Sequence, residues 1–114
     1  MSKLKILLVE DDRDQLELMK MVLDLGGFEV LTAMSLTEAK VQITGVDVLL
    51  TDFNLGPDGT GQDVANLFLI ARPEGRVIVS TGSYVDVQCE AHTHLQKPIG
   101  IDQLLDAVNG ESRR

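Results

Sequence analysis

Ile6-Leu7-Leu8-Val9 is an unbroken apolar run, closed on its far side by Glu10-Asp11-Asp12. A strand with one wet face alternates apolar and polar residues, so an uninterrupted run this short reads as a strand buried on both faces. Strands of that kind belong to parallel sheets, because each parallel connection crosses over through a helix that covers the sheet. The pattern repeats along the chain. Val46 to Leu50 and Val77-Ile78-Val79 are further buried-type runs, Phe28 to Ala33 reads as a strand, and Leu95 marks a weak one before Lys97-Pro98. Between them, helical spacing is kept by Leu16, Met19, Val22 and Leu23, by Leu36, Ala39 and Ile43, by Val64, Leu67, Phe68 and Ala71, and by Ile101, Leu104, Leu105 and Val108.

Local signals punctuate these elements. Asp12 suits the cap of the first helix, and Gly26-Gly27 ends it. Ser35-Leu36-Thr37-Glu38 is a capping box in which Ser35 and Glu38 satisfy each other's free amides, opening a helix that runs to Gly45. Gly56, Pro57, Gly59 and Gly61 mark a loop, and Pro73 closes the next helix. Gly110 ends the last, and residues 111–114 read as a frayed tail. Residues 83–92 present no convincing face, so the helix between the fourth and fifth strands is expected to be short or absent. Alternating strands and helices specify an α/β domain, a parallel sheet with helices on both faces and right-handed crossovers. The 114 residues fit one domain, 1–114, without linker or repeat.

Charge and cysteine content exclude several classes. Eighteen acidic residues against 10 basic ones give a net charge of −8, which argues against direct grip on nucleic acid. No apolar run is long enough to span a membrane. The single cysteine, Cys89, rules out an internal disulfide framework, and a reducing cytoplasm is the expected setting.

Open parallel sheets bind ligands outside the carboxyl ends of their strands. The residues expected there are Glu10, Asp11 and Asp12 after strand one, Asp52 after strand three, Thr81 after strand four and Lys97 after strand five. Crowded carboxylates repel one another, and a hard divalent cation such as Mg²⁺ relieves the repulsion while keeping waters and sharing phosphate oxygens. With Lys97, such a site can hold the charge of a transferring phosphoryl group. Asp52, alone on the central strand before a glycine-rich loop, is the best-placed acceptor, a role carboxylates do serve.

These residues carry a resemblance. Ile6-Leu7-Leu8-Val9-Glu10-Asp11-Asp12, Val48-Leu49-Leu50-Thr51-Asp52, Val79-Ser80-Thr81-Gly82 and Lys97-Pro98, in this order and each at a strand end, make the chain resemble a bacterial two-component response-regulator receiver domain, chemotaxis-regulator-like, from end to end. The resemblance implies a flavodoxin-like five-stranded sheet of order 2-1-3-4-5. It implies that Asp52 is phosphorylated from a phosphohistidine on a sensor kinase or histidine phosphotransfer protein. Glu10 and Asp11 would hold Mg²⁺ with Asp52 and the backbone carbonyl of Asn54. Thr81 and Lys97 would each bond a phosphoryl oxygen. The resemblance admits Mn²⁺ as the metal and a phosphorylation-dependent dimer, and it expects a downstream protein target that the sequence does not name. It implies no conventional enzyme, only self-catalysed phosphorylation and slow autodephosphorylation.

The chain departs from the family in two places. The stretch between Thr81 and Lys97 is short, and the switch position three before the lysine, usually aromatic, is His94. Thr81, Gly82 and Tyr84 also match a receiver subgroup with a disordered fourth helix. Two rival readings stand beside this one. A pseudo-receiver would bind partners without phosphorylation. An aspartyl-phosphate phosphohydrolase would want an acid two residues past Asp52, where Asn54 stands. Cys89, His92 and His94 lack the fourth soft ligand a zinc site needs, and Gly56 to Gly61 is not followed by the Gly-Lys-Ser/Thr of a nucleotide loop.

Overall fold

A computed structural model describes residues 4–57, 59–82 and 93–110. Five parallel strands form one sheet: β1 (Lys5–Val9), β2 (Glu29–Ala33), β3 (Val48–Asp52), β4 (Arg76–Thr81) and β5 (Thr93–Gln96), in the order β2-β1-β3-β4-β5. This is the flavodoxin-like order that the family resemblance implies. The helices are α1 (Arg13–Leu25), α2 (Leu36–Lys40), α3 (Gly61–Ala71) and α4 (Ile101–Asn109). Residues 83–92, where a short or missing helix was expected, lie outside the described residues, as do Tyr84, Cys89 and His92.

The sheet sorts its side chains by strand alternation. Ile6, Leu8, Val48, Leu50 and Ile78 face Leu16, Met19 and Leu23 of α1 and Leu104, Ala107 and Val108 of α4. Leu7, Val9, Leu49, Val77 and Val79 face the other way, toward Ala39 of α2 and Val64, Ala65 and Phe68 of α3. The central strands are buried on both sides, which is why their sequences do not alternate.

Three local expectations need correction. α2 stops at Lys40 rather than continuing to Gly45. Val41, Ile43 and Thr44 are β-branched and disfavour helix, yet Ile43 still packs against the core from the turn that follows. The Ser35 hydroxyl accepts from Glu38 N at 3.1 Å as a capping box requires, but the Glu38 carboxylate accepts from Met34 N at 2.9 Å instead of from Ser35. Ala71 and Ile101 lie on the expected apolar stripes of α3 and α4 but are exposed, while Ala65 and Ala107 are buried. Asp12 caps α1 as expected, accepting from Asp14 N and Gln15 N.

Candidate functional site: an acidic cluster at the carboxyl edge of the sheet

β1 and β3 are neighbours in register, Val9 opposite Thr51, so the residues that follow them, Glu10 and Asp52, come out side by side. Glu10 is held by its backbone, Glu10 N donating to Ala33 O at 3.0 Å, and its carboxylate accepts from Asp12 N at 3.3 Å. It is 1% exposed and Asp52 8%, whereas Asp11 faces solvent. Carboxylate oxygens of Glu10, Asp11 and Asp52 lie within 4.8 Å of one another.

Lys97 reaches this cluster from the far side of the sheet. Its backbone N–H donates to Thr81 O at 2.8 Å, continuing the β4–β5 ladder past Gln96. Its ammonium sits 2.7 Å from Glu10 Oε1 and 3.7 Å from Asp52 Oδ1. Two nearly buried carboxylates thus share one cation, which leaves the cluster with excess negative charge. Burial pushes the Asp52 carboxyl up from 3.8 to about 6; the Glu10 carboxylate adds to the rise, and the Lys97 ammonium opposes it. A group held near neutrality this way is typical of working sites.

The remaining expected residues surround the cluster. Thr81 ends β4, half-buried. Asn54 stands two residues past Asp52, tied to Thr60 by an antiparallel bridge. His94 lies on β5 opposite Val79, exposed, and by alternation on the same face as Gln96, the register partner of Thr81. His94 and Thr81 therefore share one side of the β4–β5 edge.

Gly61 is a residue whose role the sequence reading missed. The sequence pattern places it in a loop, but it opens α3, behind a Thr60–Asp63 capping box. Gly61 N donates to Phe53 O at 2.7 Å. A Cβ at this position would lie 2.6 Å from Asp52 O and 3.0 Å from Phe53 Cα, so the glycine lets the helix start pack directly on the backbone of Asp52. Backbone atoms cannot step aside cheaply. Gly61→Ala is expected to cost about 2 kcal/mol by overpacking, read as a lower urea midpoint. Thr60-x-x-Asp63 ahead of an apolar stripe signals the helix start in the sequence, but not its close approach to Asp52.

The donor set fits Mg²⁺. It offers hard carboxylate oxygens from three side chains, and the exposed position of Asp11 leaves one side open for waters, which this ion keeps when bound. No helix among the described residues is long and apolar enough to cross a membrane.

Comparison with known proteins agrees with this geometry. Residues 6–109 match the response regulator receiver domain family. The transcriptional regulatory protein KdpE of Staphylococcus aureus is 31% identical over 88% of this chain, and the photosynthetic apparatus regulatory protein RegA of Cereibacter sphaeroides 31% over 94%. The chain spans 46% of the first and 63% of the second. Among solved structures, a CheY-like receiver domain protein from Methanospirillum hungatei superposes with a TM-score of 0.86 at 27% identity, covering 96% of this chain and 93% of that one. A receiver domain from Clostridium thermocellum gives 0.81 at 31%, covering 93% and 91%. The chain belongs to the response regulator receiver domain family.

Proposed function

We propose that this domain accepts a phosphoryl group on Asp52 from a phosphohistidine of a sensor kinase or histidine phosphotransfer protein, and changes conformation as a result. The observation that carries this reading is the cluster itself: three carboxylates within 4.8 Å of one another, with Lys97 bridging two of them at the end of the central strand. Asp11, Asp52 and Glu10 would hold Mg²⁺ together with the carbonyl of Asn54. When bound, the ion would neutralise charge on the transferring phosphoryl oxygens.

The protein's own groups account for the rest of the step. An Asp52 Oδ attacks phosphorus, and the O–P bond forms as the P–N bond to the donor breaks. The imidazole nitrogen leaves with the electron pair and takes a proton from solvent. Lys97 pairs with one phosphoryl oxygen, and Thr81 moves to donate to another. Movement of Thr81 changes the space it shares with His94 on the β4–β5 edge, which gives the switch a route to the surface. Hydrolysis later returns Asp52 to its carboxylate.

A feature beside the cluster suits the delivery of a phosphohistidine. α1 and the approach to α4 border an open groove of about 590 Å³ whose lining includes Leu18, Met19, Ile99, Ile101, Leu104 and Lys97. Leu18 and Ile101 in its lining are exposed. Apolar side chains beside a charged centre support docking of an apolar helix face carrying the donor residue.

Phosphoramidate, a small donor with the same P–N bond, tests this reading with Mg²⁺ present. The expected product is a hydroxylamine-labile phosphoryl adduct, formed far more slowly when the divalent ion is chelated. No adduct would favour a pseudo-receiver that binds partners unphosphorylated. The raised Asp52 pKa adds an expectation for the metal. Binding must displace the proton held up to about pH 6, so Mg²⁺ affinity should rise with pH between about 5 and 7. Calorimetric titration in buffers of different ionisation heat would show the released proton.

A further inference from the structure

Ser80 Oγ is the one buried side-chain polar atom without a hydrogen-bond partner among the described residues, and the residue is 1% exposed. A buried hydroxyl without a partner is costly and uncommon, and calls for an explanation. Its position suggests one. Ser80 lies directly opposite Asp52 in the β3–β4 register, with Leu95 of β5 on its other side. Register partners in a parallel sheet project to the same face, so the Ser80 and Asp52 side chains leave the sheet together. Among the described residues, the charged groups beside the Asp52 carboxylate are Glu10 and Asp11, which follow β1, and Lys97, which reaches over from β5. Ser80 stands on the remaining flank, on β4. Its backbone is fixed, since Phe53 N donates to Ser80 O at 3.0 Å, so a turn about its χ1 is the motion open to its hydroxyl.

We propose that Ser80 is a positioning residue for the phosphorylated state, an inference that rests on the reading of Asp52 as the acceptor. Once one Asp52 oxygen is bonded to phosphorus, the other remains as a carbonyl oxygen. The Ser80 hydroxyl turns onto that oxygen and donates to it, keeping its own proton. A donor that has no partner before transfer and gains one after it stabilises the second state alone, and so draws the equilibrium toward it. The bland alternative is size: Lys97 crosses over β4 to reach Glu10, and a small residue beneath it leaves room.

Ser80→Ala separates the two, with beryllofluoride plus Mg²⁺ as the probe that occupies a carboxylate in place of a phosphoryl group. Binding is followed by fluorine NMR and stability by thermal unfolding without the probe. Removing an unpartnered hydroxyl is expected to raise the midpoint of the free protein by about 4 °C. The same change should weaken beryllofluoride binding by about two- to tenfold, the worth of one hydrogen bond. Ser80→Thr, which keeps the hydroxyl, should bind within about twofold of wild type. Unchanged binding by Ser80→Ala would overturn the proposal in favour of size. A lowered midpoint would overturn it too, by showing that the hydroxyl already has a partner in the free state. Wild type that neither binds the probe nor forms an adduct would defeat the reading of Asp52 before any variant is compared, and this inference with it.

Discussion

Asp52→Asn is expected to form no phosphoryl adduct, and at pH 7 to be more stable than wild type by up to about 3 kcal/mol. The first effect follows because an amide is no nucleophile toward phosphorus. The second follows from burial. The Asp52 carboxyl holds its proton up to about pH 6 in the fold, against 3.8 ordinarily. Between those values the folded state binds more protons than the unfolded one, so stability falls as pH rises through the window. Below pH 4 the penalty is absent; above about 6 it is complete. Asparagine removes the charge and the penalty together, and Lys97 keeps its closer partner, Glu10 at 2.7 Å. Urea unfolding from pH 4 to 7 should therefore fall less steeply for the variant than for wild type. A function that requires a charge the fold resists is a common reason for a stabilising mutation to inactivate.

Lys97→Met is expected to do the opposite to stability. It leaves the stem's packing but removes the cation shared by Glu10, 1% exposed, and Asp52, 8% exposed. Breaking a buried pair by deleting one partner leaves an uncompensated charge, at a cost of about 3 kcal/mol. Two signatures identify the cause. The loss should shrink at pH 5, where the Asp52 carboxyl takes up a proton. It should also shrink when Mg²⁺ is added, because a divalent cation replaces the missing charge and binds the folded state. Phosphorylation from phosphoramidate should slow by about a hundredfold, as expected when one preorganised charge contact to the reacting group is lost. Equal destabilisation at pH 5 and 7, with or without Mg²⁺, would mean that Lys97 matters for packing alone.

The sheet and the cluster were legible for the same reason. Parallel strands buried on both faces write themselves as unbroken apolar runs, and their carboxyl ends are the next residue or two along the chain. Glu10 after Val9, Asp52 after Leu50 and Thr51, and Lys97 shortly after Leu95 are local facts, and the fold brings their ends to one edge. The misses have a different origin. α2 ends at Lys40 because β-branched residues follow, although the apolar spacing continues to Ile43. Ile101 keeps the period of α4, but it sits in the first turn, lining an open groove. Gly61 is explained by how closely a helix start approaches the Asp52 backbone, a distance that no spacing encodes. Ser80 reads as an ordinary strand-end residue, and its unpartnered hydroxyl exists only once β3, β4 and β5 are assembled.

In the proposed reaction Asp52 itself carries the phosphoryl group. Borohydride reduces an aspartyl phosphate to homoserine, so reduction after treatment with phosphoramidate and Mg²⁺, followed by proteolysis and mass spectrometry, locates the modified residue. Homoserine is expected at position 52, with Glu10, Asp11 and Asp12 left unreduced. Modification at another carboxylate, or none in a protein that binds Mg²⁺, would contradict it.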